Sequence, residues 1–113
     1  MASDTNARLV AVWRVVAAIP VGSVLSYGEV ARLAGYPNGA RYVGYALSQA
    51  PQASSLPWQR VVAAGGRIAF PVGSKLYREQ RRRLLAEGMR VHGEKVAITR
   101  VADMDSLLWS QAD

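Results

Sequence analysis

The chain has 113 residues, a length that suits one domain rather than two. Half of its residues are apolar and 19% are charged, a composition typical of folded globular proteins and not of disordered ones. Lysine and arginine outnumber aspartate and glutamate by 14 to 8. The net charge of +6 favours a polyanionic partner such as nucleic acid, although a basic surface can also serve solubility alone.

The chain lacks residues on which several kinds of site depend. It has no cysteine, which excludes disulfides, iron–sulfur clusters, thiolate zinc sites and any thiol nucleophile. His92 is its only histidine and cannot complete a Cys/His metal site or a Ser-His-Asp triad, so neither metal nor cofactor is expected. No apolar run approaches the roughly 20 residues that span a bilayer. The first residues also lack a signal-peptide pattern, so we expect a cytoplasmic protein without membrane contact.

The first half of the chain has the pattern of three helices. Apolar residues recur at helical spacing over Thr5–Ala18, which predicts the first helix. Ser26 and Glu29 have the spacing of a capping box, so a second helix is predicted from Tyr27 to about Ala34. A turn rich in glycine and proline separates it from a third helix, predicted from residue 40 or 41 to about Gln49. Two short helices joined by such a turn indicate a helix-turn-helix.

The second half is predicted to combine short strands with one long helix. In chain order the predicted elements are a strand from Trp58 to Ala63, a turn at Gly65-Gly66, an extended segment from Arg67 to Phe70, a helix from Lys75 to about Glu87, and a hairpin from Val91 to Val96. The tail from Asp105 to Trp109 is predicted to pack on the body, with Trp13 and Trp109 in the core. The expected fold is a single domain over residues 1–113, mainly α with a small β element, of winged helix-turn-helix type.

Four segments resemble the DNA-binding domain of the O6-alkylguanine-DNA alkyltransferases. They are Ile19–Ala34 (IPVGSVLSYGEVARLA), Gly39–Gly44 (GARYVG), Pro57–Val62 (PWQRVV) and Leu84–Gly88 (LLAEG). They occur in the order in which that family has them. The family's Pro-Cys-His-Arg-Val motif, whose cysteine accepts the alkyl group, reads Pro-Trp-Gln-Arg-Val here. This replacement resembles the alkyltransferase-like subfamily.

The resemblance implies recognition of DNA damage and no enzymatic activity. It implies binding of duplex DNA that contains O6-alkylguanine through the minor groove, with the damaged nucleotide flipped out of the helix and held without reaction. It also implies that nucleotide excision repair proteins are the next partners. The protein is expected to act as a monomer.

The resemblance assigns Tyr27, Trp58, Val61 and Phe70 to the lesion-binding pocket. Trp58 stands at the place of the nucleophile, where an indole cannot accept an alkyl group but can contact one with its apolar face. The alternative for Trp58 is a core position in a buried strand, and for Tyr27 a half-buried position at a helix start. The backbone carbonyls of Trp58 and Val61 would by analogy accept hydrogen bonds from the guanine edge. Phe70 falls one position early against the family's pocket wall, which leaves its pocket role open.

The same resemblance assigns a DNA-binding role to Ser26, Tyr27, Gly39, Ala40, Arg41 and Gly44. Arg41 is implied to be the intercalating arginine, because a flat guanidinium can stack in the space that the flipped nucleotide leaves. The alternative is an arginine on a phosphate at a helix start. Small residues around it would let the helix approach the minor groove closely. Tyr42 departs from the family, which usually has a small residue there.

Two further groups of polar residues follow from the motifs. Gln59 replaces the histidine that activates the family's thiol, so Glu87, at the far end of that relay, is expected to have a structural role with Arg60. The predicted last helix carries basic residues on one face: Lys75, Arg78, Arg81 and Arg82. This face could contact phosphates or simply be solvated.

Two other functional classes remain as alternatives. A winged-helix transcription regulator would read undamaged sequence and would usually dimerise. A glycosylase acting on a flipped base would need a carboxylate or an amine in the pocket. Glu87 is the only such residue that the family motifs place near the pocket.

Overall fold

The computed structural model describes residues 2–50 and 55–97. The helices are α1 (Ala2–Ala17), α2 (Tyr27–Leu33), α3 (Ala40–Ser48) and α4 (Lys75–Ala86), and Trp58–Arg60 form a 3-10 turn. The strands are β1 (Leu25–Ser26), β2 (Val61–Val62), β3 (Val91–His92) and β4 (Lys95–Val96). The prediction of a mainly α chain with a small β element is confirmed. The predicted tail packing and the core position of Trp109 lie outside the described residues.

Helices α2 and α3 form the predicted helix-turn-helix. Ser26 caps α2, since its Oγ accepts a hydrogen bond from the backbone N–H of Glu29 at 3.1 Å. The carboxylate of Glu29 pairs with Arg32 at 3.3 Å, so the reciprocal half of the capping box is replaced by an ion pair within the helix. In the turn, a Cβ on Gly39 would lie 2.9 Å from the carbonyl oxygen of Tyr36. Only glycine therefore fits at the residue that precedes α3.

The strand predicted from Trp58 to Ala63 is wrong over its first half. Residues Trp58–Arg60 turn instead of extending, and only Val61–Val62 form a strand. This strand pairs in parallel with β1, with Leu25 opposite Val61. The extended segment predicted from Arg67 to Phe70 is reduced to isolated bridges from Arg67 to Ala63 and to Lys95. The turn brings two consecutive polar side chains, Gln59 and Arg60, to the carboxylate of Glu87, which directly follows the last helix.

Strand β2 lies between two hydrophobic clusters. Successive side chains of a strand point to opposite faces, so Val61 enters the cluster formed by α1, α2 and α3, while Val62 enters the cluster formed by α4 and the β3–β4 hairpin. Both valines are 1% exposed. Trp13, predicted to be a core residue, is only half-buried and is not part of the buried core. Its Nε1 donates to the carbonyl of Ala46 at 2.8 Å, which joins α1 to α3.

The hairpin predicted at residues 91–96 is confirmed and packs against α4. Val91 pairs with Val96 in antiparallel register. The hydroxyl of Tyr77 on α4 donates to the carbonyl of Gly93 in the hairpin turn at 2.6 Å, which fixes the hairpin relative to the helix. None of the helices among the described residues is both long and apolar enough to cross a bilayer.

Candidate nucleic-acid interface

A cavity of about 350 Å³ opens where α2, α3 and the start of α4 meet the 3-10 turn. The residues that line it are Tyr27, Gly44, Leu47, Ser48, Trp58, Phe70 and Leu76. Most of these side chains are aromatic or aliphatic, and the volume falls in the range of small-molecule pockets. The cavity therefore suits a flat, largely apolar group.

Three of the four residues predicted to line a lesion pocket meet in this cavity: Tyr27, Trp58 and Phe70. Val61 does not, because its side chain is 1% exposed and lies in the core. Its carbonyl oxygen accepts a hydrogen bond from Nε2 of the buried Gln80 at 2.9 Å, and its N–H donates to the carbonyl of Trp58. Both carbonyls that were expected to face a base are thus already engaged within the chain.

Tyr27 reaches the cavity as the first residue of α2, directly after the cap that starts the helix. Burial raises the pKa of its phenol above the ordinary value, so the hydroxyl stays protonated at neutral pH. A protonated phenol can donate a hydrogen bond as well as accept one. Tyr27 therefore supplies a polar group to a largely apolar wall.

Trp58 is held in place from two sides. Phe70 contacts it edge-on, with ring centroids 6.2 Å apart and an angle of 83° between the planes. The guanidinium carbon of Arg83 lies 5.3 Å from the centroid of the Trp58 ring, a cation–π contact. Arg83 is in turn fixed by Glu79, whose carboxylate lies 2.7 Å from its Nε. Hydrogen bonds from Arg82 and Arg83 lower the pKa of Glu79 to about 2, so this anchor stays charged at neutral pH.

Trp58 also lines a second cavity of about 540 Å³. Its wall is more polar and includes Ser55, Gln59, Arg60 and Arg83. Leu47 and Trp58 line both cavities. The indole therefore belongs to an apolar cavity and to a more polar one.

Four contributors to this region were not predicted as site residues. Leu47 and Ser48 are at the end of α3, and Leu76 lies in the first turn of α4. Arg83 contacts Trp58 from the last turn of α4. The four-residue spacing of Glu79 and Arg83 predicts an ion pair within the helix. It does not predict that Arg83 also contacts a tryptophan from another part of the chain.

The expected structural role of Glu87 with Arg60 is confirmed. Arg60 Nε and Nη2 each donate to the carboxylate at 3.0 Å, and Gln59 Nε2 donates at 2.7 Å. Arg60 Nη1 also donates to the carbonyl of Ile19 at 2.7 Å. Burial opposes ionisation of Glu87, but hydrogen bonds from Arg60, Gln59 and the backbone N–H of Gly22 outweigh it and lower the pKa of the carboxyl. The network ties the 3-10 turn to α4 and to the segment after α1.

We expect Glu87→Gln to lower the free energy of unfolding by about 1–2 kcal/mol at neutral pH, because Arg60 is only 14% exposed and loses its charged partner. A lowered pKa in the folded state means that this contribution is present above the unfolded carboxyl's pKa of roughly 4.3 and is lost as the pH falls through the folded value. Denaturant unfolding from pH 7 to pH 3 measures it. Glu29→Gln, at an exposed ion pair, is the control. The difference in the free energy of unfolding between Glu87→Gln and the unmodified chain should become smaller in acid. A difference that stays constant down to pH 3 would contradict the ionic role of Glu87.

The start of α3 presents the residues predicted to contact DNA. Ala40, Arg41 and Gly44 are exposed, and Gly39 is half-buried in the preceding turn. A Cβ on Gly44 would meet no protein atom within 4 Å. Packing within the chain thus gives no reason for a glycine there, although it costs helix stability. Gly44 therefore leaves open space on the exposed side of α3, next to the cavity that it also lines.

Tyr42, the departure from the family pattern, turns away from this face. It packs against the first hydrophobic cluster and its ring lies 5.7 Å from that of Tyr45. Its bulk is therefore accommodated inside the fold and leaves the small residues of α3 accessible.

The family described as "6-O-methylguanine DNA methyltransferase, DNA binding domain" matches residues 8–89. A DNA base-flipping protein of Escherichia coli is 54% identical over 82 residues, which are 73% of this chain and 62% of that protein. A DNA base-flipping protein of Vibrio parahaemolyticus is 47% identical over 83 residues, 74% of this chain and 81% of the relative. The chain thus spans somewhat less than two thirds of the E. coli protein.

Solved structures extend the likeness to the fold. Schizosaccharomyces pombe Atl1, in complex with damaged DNA containing O6-carboxymethylguanine, is 34% identical with a TM-score of 0.70, over 77% of this chain and 81% of that one. The segment from the α2 cap through α3, the Trp58 motif and the end of α4 all lie within residues 8–89 of the family match. The chain therefore belongs to the O6-alkylguanine-DNA alkyltransferase family and is an alkyltransferase-like member without an acceptor cysteine.

Proposed function

We propose that this protein binds duplex DNA containing O6-alkylguanine, flips the damaged nucleotide into the cavity beside Trp58 and holds it without chemical change. The observation that carries this proposal is the apolar cavity bounded by Tyr27, Trp58 and Phe70. It adjoins helix α3, on which Ala40 and Gly44 are exposed and a Cβ on Gly44 would meet open space. A flipped purine presents a flat ring to such a wall, and an O6-alkyl group adds apolar surface that water disfavours.

The chemistry of the cavity supports binding rather than turnover. Alkyl transfer needs a nucleophile that forms a bond to the alkyl carbon as the guanine O6 leaves, and the chain has no cysteine to supply it. The residue after Trp58, Gln59, is buried and donates to Glu87. Its amide cannot accept a proton as the family's histidine does.

In this proposal α3 enters the minor groove with Arg41 in the position of the flipped nucleotide and Gly44 close to the DNA backbone. Ser26, Tyr27, Gly39 and Ala40 complete the DNA-contacting face. The protein acts as a monomer on one lesion, and the long-lived complex is the signal that nucleotide excision repair proteins recognise. The E. coli and V. parahaemolyticus base-flipping proteins and the S. pombe Atl1 complex with damaged DNA support the DNA part of this proposal.

The direct test compares matched duplexes that differ in a single O6-methylguanine. We expect tighter binding to the damaged duplex by roughly tenfold or more, since one methyl group in a fitted pocket contributes about 1–3 kcal/mol. Fluorescence anisotropy at fixed salt measures both affinities. Equal affinity for the two duplexes, together with preference for one undamaged sequence, would support a transcription regulator instead.

Incubation with the damaged duplex is expected to leave the alkyl group on guanine. Because a thiol acceptor is absent, excess protein and a duplex labelled in the methyl group should yield neither labelled protein nor restored guanine, even after prolonged incubation. An alkyltransferase with its cysteine is the positive control. Label found covalently on the protein would show that another side chain reacts, and release of the free base would indicate a glycosylase.

Gly44→Ala is expected to change folding and binding in opposite directions. Alanine at this interior position of α3 should raise the free energy of unfolding by about 0.5–1 kcal/mol, since the new methyl group meets no protein atom. The same methyl group should weaken binding to damaged and undamaged duplexes if α3 lies against the groove. Denaturant unfolding and DNA titration give the two values. Binding that is unchanged in the stabilised variant would remove Gly44 from the interface.

A further inference from the structure

A second surface feature lies on α4, away from the cavity just described. It is a cleft of about 410 Å³ lined by Tyr77, Arg78, Arg81, Arg82, Leu85 and Gly93. The hydroxyl of Tyr77 donates to the carbonyl of Gly93 at 2.6 Å, so the helix and the hairpin turn that form its two sides are fixed together. The cleft is therefore a preformed part of the fold.

This cleft and the lesion cavity face opposite sides of α4. Leu76 and Arg83 point toward Trp58. With roughly 100° of rotation per residue, Arg78 and Leu85 lie about half a turn of the helix away from Leu76. A duplex bound at α3 and the lesion cavity, as proposed above, would therefore leave this side of α4 uncovered.

The cleft combines excess positive charge with an apolar position. Glu79 pairs with Arg82 at 2.6 Å, but among residues 2–50 and 55–97 no carboxylate lies within 4.0 Å of Arg78 or Arg81. Leu85 is 42% exposed at the same cleft. Arginines bind carboxylates through paired hydrogen bonds, and an exposed leucine beside them offers a contact for an aliphatic side chain.

We propose that this cleft is the docking site for an acidic segment of a partner protein, one that presents aspartate or glutamate side chains around an apolar residue. The proposal rests on the proposed function in that DNA occupies the opposite side of α4. The cleft then provides a surface on which a partner protein can recognise the lesion complex while the DNA stays bound. A phosphate backbone would use the arginines but not Leu85, and it would have to leave the α3 face to reach them.

The test uses the full chain and a short fluorescein-labelled peptide of aspartate and glutamate with a central leucine. Anisotropy titration is run at moderate salt against Arg78→Glu/Arg81→Glu and against Arg8→Glu/Arg14→Glu, which has the same change in net charge on exposed arginines of α1. We expect the α4 variant to bind the peptide about tenfold or more weakly, while the α1 variant changes by about twofold or less. Replacing the central leucine by serine should also weaken binding to the unmodified chain.

Affinity of the α4 variant for the O6-methylguanine duplex is the second measurement, and it should stay within about twofold of that of the Arg8→Glu/Arg14→Glu variant, which has the same net charge. This separates the two proposals, because a chain without lesion preference could still bind the peptide. An equal loss of peptide affinity in the α4 and α1 variants would overturn the docking site. Absence of peptide binding by the unmodified chain would overturn it as well. A loss of duplex affinity in the α4 variant that clearly exceeds the loss in the α1 variant would make the cleft a DNA surface. Peptide binding that emerges only in Asp103→Asn/Asp105→Asn would assign the cleft to the chain's own carboxyl-terminal segment.

Discussion

Replacing Arg41 by alanine should leave the protein folded but remove most of its ability to flip the damaged nucleotide. Arg41 is exposed at the second position of α3, and alanine suits a helix at least as well, so folding should change by less than about 1 kcal/mol. Extrusion of a base costs a few kcal/mol of stacking and pairing. Without a side chain that fills the gap, binding to the O6-methylguanine duplex should fall by roughly tenfold or more.

Fluorescence of 2-aminopurine placed next to the lesion reports flipping independently of affinity. Arg41→Lys distinguishes intercalation from a phosphate contact, because lysine keeps the charge but has no flat group that can stack between bases. Arg14→Ala removes an exposed arginine from α1 and controls for net charge. A flipping signal that survives in Arg41→Ala, or full recovery in Arg41→Lys, would assign Arg41 to the phosphate backbone.

Local signals account for the part of the fold that was predicted correctly. Ser26 can cap a helix only when the next residues turn, and the structure has this hydrogen bond at 3.1 Å. The N-terminus of α4 is likewise capped: the side chain of Ser74 accepts a hydrogen bond from the backbone N–H of Tyr77. The C-terminus of α4 is followed by Gly88, which has a φ of +87°. Such signals involve residues within four positions of one another, so they can be read without knowing the rest of the fold.

The errors lie where distant residues decide the conformation. Trp58–Arg60 reads as the start of a strand, because it is followed by two valines, but Gln59 and Arg60 must both reach Glu87, which is 27 residues beyond Arg60. A turn achieves this and a strand, whose neighbours point to opposite faces, does not. The same limit explains Val61. Its motif neighbour Trp58 faces the cavity, whereas the parallel pairing with Leu25 turns Val61 into the core.

The candidate site was predictable in its motif residues and not in its supports. Tyr27 and Trp58 stand in segments with a family pattern and meet as expected, and Phe70, whose pocket role the sequence left open, lines the same cavity. Arg83 and Leu76 belong to a helix whose sequence shows only an amphipathic, basic pattern. Their role depends on which face of α4 meets the 3-10 turn, and that is set by the burial of Gln80 and Leu84 against the rest of the fold.

Trp58→Ala is expected to remove lesion discrimination while leaving general DNA affinity almost unchanged. Contacts to phosphates ignore the base and weaken steeply with salt, whereas a pocket wall favours only a base that fits it. Loss of a base–aromatic contact costs about 1–3 kcal/mol, so the preference for O6-methylguanine over guanine should fall by roughly tenfold or more. The affinity for undamaged duplex and its salt dependence should stay close to those of the unmodified chain.

Trp58 also contacts Phe70 and Arg83, so the alanine variant must be compared with a variant that preserves packing. Trp58→Leu keeps an apolar side chain but lacks the aromatic face, and Trp58→Phe keeps a ring. If stacking on the indole provides the discrimination, the phenylalanine variant should retain more of the lesion preference than the leucine variant at similar thermal stability. Folded alanine and leucine variants that both keep the full preference would make Trp58 a packing residue and would move the discriminating contact to another residue of the cavity wall, Phe70.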